Sequence, residues 1–184
     1  MSNIFFNPSD LKYCGKNVII GKTVRIRKPQ EVEIGDNTII DDFTYISCGA
    51  VIGNNCHIAS NVSISGGLGK FFMGNFSTLS NHCSVHCASS DYTKMSMDLP
   101  SVPKNLQFGG EVGDITIGDY VTIGAHSTIL PKVFLPDGFA CGAYSLLKNV
   151  DYIPYSLWAG IPARFIKERT EKNYFISRMN NPLI

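Results

Sequence analysis

Histidine is the side chain best suited to moving a proton near neutral pH, and this chain has four: His57, His82, His86 and His126. His82 and His86 sit four residues apart, just ahead of a segment from Asp91 to Gly110 that mixes Asp91, Tyr92, Lys94 and Asp98 with Met95, Met97 and Phe108. Carboxylate, phenol, ammonium and apolar groups in one stretch suit the recognition of a polar small molecule. Zinc chemistry needs three ligands converging on one point, and only His82 and His86 are close in sequence. The six cysteines form no CxxC pair and read as small reduced hydrophobes rather than as a thiol nucleophile or cluster. Lys148, Arg164 and Lys167 are late cations suited to phosphate contacts. The scattered glycines make neither a P-loop nor a dinucleotide-binding fingerprint, which need a strand–turn–helix setting.

The elements that position these residues follow from a repeat. An aliphatic residue returns every sixth position at Ile34, Ile40, Ile46, Ile52, Ile58 and Ile64, and four residues after each of the first five stand Thr38, Thr44, Ala50, Cys56 and Val62. The rhythm breaks around Gly66 to Gly69, resumes at Met73, Leu79 and Val85, and breaks again between Ser90 and Gly110. It then runs through Ile117, Ile123, Ile129, Leu135, Cys141, Leu147 and Ile153. A period of six is neither helical nor that of an ordinary strand. It predicts an all-β solenoid, a parallel β-helix with three flat faces per coil. The aliphatic residue points inward, the small one packs beside it, and Gly, Asp and Asn turn the corners. Cys56, Cys83 and Cys141 fall on inward positions, whereas Cys48 and Cys87 do not and are expected to be more exposed.

Composition bounds the rest. A net charge of +1 over 184 residues argues against a bulk electrostatic grip on nucleic acid or acidic membrane. The apolar residues never gather into a membrane-spanning run, and the start has no basic n-region, so a cytoplasmic protein is expected. Residues 1–15, with Phe5, Phe6 and Pro8, read as a cap on the first coil, 16–157 as the β-helix with a projecting loop at about 91–110, and 158–184 as a terminal turn and helix. That short α-helix is expected from Ala163 to about Arg178, where five basic and two acidic residues stand between Arg164 and the end.

The hexapeptides and the tail Ala159-Gly160-Ile161-Pro162-Ala163-Arg164 resemble those of the left-handed β-helix acyltransferases. Gly142 to Lys148 is similar to the stretch that precedes that tail in many members, and the likeness covers about residues 16–170. His57-Ile58-Ala59 and Ser90-Asp91-Tyr92 resemble the branch that serves lipopolysaccharide, capsule and nucleotide-sugar pathways. The resemblance implies a homotrimer with active sites between subunits, and transfer of an acyl group, usually acetyl from acetyl-CoA, to a hydroxyl or amine of a sugar. The acceptor is expected to be a free, nucleotide-linked or polysaccharide-precursor sugar.

The same resemblance implies roles. Backbone at Gly124, Ala125, Gly142 and Ala143 would face the pantetheine arm, Gly160, Pro162 and Ala163 would border the adenine, and Lys148, Arg164 and Lys167 would meet phosphates. The catalytic histidine of galactoside, maltose and xenobiotic acetyltransferases opens the projecting loop, and here Ser90 stands at that place. His57 is therefore the expected base, with Asp91 orienting it or the acceptor, and His82 and His86 are the alternatives. Asp91, Tyr92, Lys94 and Asp98 would bind the acceptor. An amine acceptor needs less help from a base. The other readings are transfer to serine or an antibiotic, a zinc-dependent carbonic anhydrase-like protein, and a non-catalytic or ice-binding β-helix scaffold.

Overall fold

The computed structural model describes residues 3–169, which wind into a parallel β-solenoid of three walls. The first wall stacks Tyr13–Cys14, Val32–Ile34, Ala50–Ile52, Phe71–Met73, Ile115–Ile117 and Phe134–Leu135. The second stacks Ile19–Ile20, Ile39–Ile40, His57–Ile58, Thr78–Leu79, Thr122–Ile123, Ala140–Cys141 and Ser156–Ala159. The third stacks Arg25–Ile26, Tyr45–Ile46, Ser63–Ser65, Ser84–His86, Thr128–Ile129 and Leu146–Leu147. Every coil is held to the next by parallel pairing in register, as in Phe71 between Ala50 and Ile115. The expected all-β solenoid is the observed fold.

Its interior is the hexapeptide set. Ile34, Ile40, Ile46, Ile58 and Ile64 are completely buried, and Thr38, Thr44, Ala50, Cys56 and Val62 fill the narrower inward places. Each buried isoleucine contributes on the order of 1.5–3 kcal/mol. The inward hydroxyls are satisfied by the neighbouring turn of chain: Thr38 Oγ1 donates to the Gly53 carbonyl at 2.8 Å and Ser77 Oγ to that of Gly118 at 2.9 Å. At the corner between the first and second walls, side chains of successive coils form a ladder. Asp36 Oδ1 accepts from the Lys16 amide, Asn54 Oδ1 from Asp36, Asn75 Oδ1 from Asn54, Asp119 Oδ1 from Asn75 and Asp137 Oδ1 from Asp119, all within 2.9 Å. Gly74 leaves room for that ladder, because a Cβ there would lie 2.4 Å from Asp119 Oδ1.

The connections from first to second wall and from second to third are always four residues long, up to the strand at Leu146–Leu147. All irregularity is confined to the corner between the third and first walls. There the chain inserts a 3₁₀ turn at Pro29–Glu31, the Gly66–Gly69 excursion, and the long departure between His86 and Ile115. The two breaks in the sequence rhythm are thus two visits to one edge of the prism.

Three expectations are corrected or bounded. Arg164–Glu168 is not the start of an α-helix but a strand that runs antiparallel along Ser156–Ala159. The physical reason is the open edge of the last parallel strand, whose backbone groups the returning segment pairs, while Phe165 packs edge-on to Trp158 at 5.9 Å. The remainder of the expected helix, from residue 170, lies outside the described residues. Cys48 and Cys87 are buried, at 1% and 0% exposure, because Gly66 and Gly69 pack directly on Cys87 and the two thiols meet each other. At the other end, Asn3 Nδ2 donates to the carbonyls of Gly21 and Val24 at 3.0 and 2.7 Å, which ties the first residues over the first coil. No helix among the described residues is long and apolar enough to cross a membrane.

Candidate functional site

The long excursion is built on a small antiparallel hairpin. Ala88–Ser89 pairs with Glu111–Val112, and a further bridge joins Met97 to Phe108. The hairpin leaves the edge between the third and first walls and divides it into two clefts. Toward the early coils lies one of about 670 Å³, whose lining includes Arg27, Ser47, Ser65, Asp98 and Phe108. Toward the late coils lies one of about 500 Å³, lined by Asp91, Tyr92, Leu130, Lys132 and Lys148 among others. Ser89, Ser90, Gly110 and Glu111 line both, so the base of the hairpin is the seam where the two clefts meet.

A carboxylate is fixed at that seam. Asp98 Oδ1 accepts from Ser90 Oγ at 3.0 Å and from Ser96 Oγ at 3.3 Å. Its Oδ2 accepts no hydrogen bond among the described residues and lies against Gly110, where a Cβ would come within 2.6 Å and where φ is +80°. Glycine is required there on both counts. A histidine stands at the end of the third wall nearby: His86 Nδ1 lies 3.3 Å from Oγ of Ser65, itself part of the early-coil cleft. Burial pushes the His86 pKa down, so the ring is neutral at pH 7 and has a nitrogen able to take a proton. The other charged feature is the pair of Lys132 Nζ and Glu111 Oε1 at 3.0 Å, which braces the seam from the late-coil side.

The other sequence candidates separate. His57 lies on the outer face of the second wall and pairs through Nε2 with Asp41 at 2.8 Å, not with Asp91. Asp91 accepts from Thr93 Oγ1 at 2.6 Å and from its amide at 2.9 Å, and these bonds hold its carboxyl below the usual range. His82 belongs to the corner between the second and third walls, where its ring stacks on His126 and His126 on Tyr144, each at 4.7 Å. Tyr92 and Lys94 are exposed on the hairpin, and Tyr92 borders the late-coil cleft with Lys148. Gly124, Ala125, Gly142 and Ala143 turn the corner that carries the stacked rings. The smallness of Gly124 is explained by the coil above it, since a Cβ would lie 2.4 Å from the Ala143 amide nitrogen. Gly160, Pro162 and the buried Ala163 form the turn into the last strand, which carries Arg164 and Lys167 exposed on the surface.

Within one chain, then, Asp98 lines the early-coil cleft, His86 touches that cleft's Ser65, Asp91, Tyr92 and Lys148 share the late-coil side, and His57 and His82 join neither. Ser65, Glu111, Lys132 and Arg27 were not singled out in the sequence. The signal that would have found them is the coincidence of every rhythm break on one corner. Burial pushes the Cys83 thiol up to about 11, as befits an inert core residue. No group of three or more His, Cys, Asp or Glu able to hold a metal occurs among the described residues.

Comparison with known proteins agrees with this architecture. Residues 31–66 match the family model "Bacterial transferase hexapeptide (six repeats)". The chain is 34% identical, over 88% of its own length and 84% of the relative, to the dTDP-4-amino-4,6-dideoxy-D-glucose acyltransferase of Escherichia coli. It is 30% identical, over 84% of its length and 86% of the relative, to a probable carbonic anhydrase of Methanocaldococcus jannaschii. Among solved structures it resembles AntD, an N-acyltransferase from Bacillus cereus in complex with dTDP and 3-hydroxybutyryl-CoA, with a TM-score of 0.85 and 32% identity over 97% of this chain and 100% of that one. The chain belongs to the hexapeptide-repeat, left-handed β-helix acyltransferases.

Proposed function

We propose that this protein transfers an acyl group from a coenzyme A thioester to the amine of a nucleotide-linked sugar. The observation that carries the reading is Asp98, a carboxylate fixed by two serine hydroxyls at the seam of two clefts, each on one side of the same hairpin. Two substrates that must exchange a group need two approaches to one point, and the seam supplies that point. The late-coil cleft, where Lys148 stands beside the Lys132–Glu111 pair, suits the extended, phosphate-bearing donor, whose thioester supplies the activated carbonyl. The early-coil cleft suits the acceptor. Similarity to an enzyme that acylates a dTDP-linked 4-amino sugar, and to one crystallised with dTDP and an acyl-CoA, supports amine over hydroxyl.

Asp98 Oδ2 positions the acceptor nitrogen, while Ser90 and Ser96 keep the carboxylate aimed. Once the acceptor's ammonium has lost a proton to solvent, the neutral amine attacks the thioester carbonyl and Asp98 takes the proton that the new C–N bond releases. The C–S bond breaks to expel the coenzyme A thiolate, which is protonated from solvent. The neutral His86 imidazole, beside Ser65 of the early-coil cleft, is a second candidate proton acceptor. An amine needs no strong base, only deprotonation and positioning, which explains why no histidine opens the hairpin. Acetyl-CoA is the short donor to test, and 3-hydroxybutyryl-CoA, bound by AntD, is the longer one to compare. We also propose a homotrimer, in which the corner carrying Gly124, Ala125, Gly142 and Ala143 would form the facing wall of a neighbour's donor cleft. The test is thiol release from each acyl-CoA with a panel of acceptors: dTDP-4-amino-4,6-dideoxyglucose, simple glycosides, serine and chloramphenicol. Selective turnover of the nucleotide-linked amino sugar supports the proposal. Selective turnover of serine or chloramphenicol contradicts it.

A further inference from the structure

We infer that the early-coil end of the larger cleft is a diphosphate subsite, with Arg27 as its cation and Ser47 as its hydroxyl, which places the nucleotide on the first coil and the amino sugar at Asp98. The inference rests on the acyl-transfer reading for its choice of sugar, but not for the site itself.

The subsite follows from the order of side chains along one edge of the third wall. Arg27, Ser47 and Ser65 all line the cleft, and they stand on successive coils: the Arg27 amide bonds to Ile46, the Ser47 amide to Ile64, and Ser65 pairs in register with His86. With about 4.8 Å between coils, Arg27 lies three steps, about 14 Å, from the level of His86. That is the reach of a hexose carrying a diphosphate, laid along two serine hydroxyls. The ends of the cleft differ in charge. The hairpin end holds Asp98, whereas the first-coil end holds Arg27, which forms no ion pair among the described residues. Lys28 beside it is engaged by Glu31 at 3.2 Å. A forked guanidinium is the group best matched to two phosphate oxygens. Two residues earlier, Arg25 has its guanidinium 5.8 Å from the ring centres of both Phe5 and Tyr45, adding a second positive charge. A molecule with an ammonium at one end of a sugar and a diphosphate at the other is the electrostatic complement of this cleft. A free amino sugar satisfies only half of it.

The test is isothermal calorimetry with dTDP, UDP and coenzyme A as separate probes, on the full chain and on Arg27→Glu and Arg27→Gln, with circular dichroism confirming that each variant keeps the solenoid. The wild-type protein should bind dTDP or UDP. Arg27→Glu should weaken that binding by about tenfold or more, and Arg27→Gln by less. Coenzyme A affinity should stay within about twofold in both. Unchanged nucleotide affinity in Arg27→Glu overturns the inference, as does a wild-type protein that binds neither nucleotide. A parallel loss of coenzyme A affinity overturns it too, by assigning Arg27 to the donor. Failure of the acyl-transfer reading looks different: nucleotide binding would still depend on Arg27 while no acyl-CoA was consumed.

Discussion

At the scale of residues, the chemistry turns on where a proton can go. Asp98 is held by two hydroxyls and opens toward the acceptor side, whereas Asp91 is spent on its own turn with Thr93. Replacing Asp98 by Asn keeps the size and the serine contacts but removes the acceptor of the proton. Turnover should fall by about 10²–10⁴-fold with little change in KM for the acyl-CoA. His57→Asn should stay within a few-fold of wild type, because His57 faces outward from the second wall beside Asp41. Collapse of His57→Asn with survival of Asp98→Asn would move the base to a neighbouring subunit's second wall. His86 gives a pH signature. Its folded pKa is depressed by burial, so the unfolded chain takes the proton first as the pH falls. Stability should therefore drop below about pH 6.5, the ordinary histidine value, and be independent of this group above it. Urea unfolding at pH 7.5 and 5.5 should show a smaller difference for His86→Gln than for wild type. An unchanged difference would place the acid sensitivity elsewhere.

At the scale of elements, stability and function reside in different parts of the coil. The walls hold the buried isoleucines, and Ile58→Ala should cost about 2–5 kcal/mol in chemical denaturation. The edge between the third and first walls holds the excursions, which contribute few buried side chains: none of residues 90–112 is buried. Replacing 90–110 by a short turn should leave the far-UV spectrum and cooperative melting in place and abolish acyl transfer; loss of cooperative unfolding would show the hairpin to be part of the core. The walls were legible because a six-residue repeat of inward Ile34, Ile40 and Ile46 with Thr38 and Thr44 admits only one arrangement. The hairpin was legible as an interruption, but its partners were not. Asp98 meets Ser90 through a fold-back, and Ser65 meets His86 because they pair in register one coil apart, 21 residues away in sequence. The start of the expected terminal helix is a strand for a related reason: Phe165 and Ile166 stand among charged residues as an amphipathic helix would have them, but the unpaired edge of Ser156–Ala159 decides their conformation.

At the scale of the molecule, a nearly neutral protein sets opposite charges along one edge: Asp98 at one end of a cleft, Arg27 at the other, and Lys132 and Lys148 across the hairpin. Opposite charges along one cleft suit a small ligand carrying both signs better than a polyanion. Light scattering should give about three times the chain mass, since a prism closes a ring by presenting one flat face to each neighbour. A monomer with full coenzyme A affinity would instead confine the donor site to one chain. The central claim is acyl transfer to an amine of a nucleotide-linked sugar, and its most direct measurement is mass spectrometry of the product formed from acetyl-CoA or 3-hydroxybutyryl-CoA and dTDP-4-amino-4,6-dideoxyglucose. The account predicts that the sugar gains one acyl group as an amide stable to mild base, and that Asp98→Asn forms it far more slowly. A base-labile ester, or a nucleotide sugar recovered unmodified while serine or chloramphenicol is acylated, would contradict it.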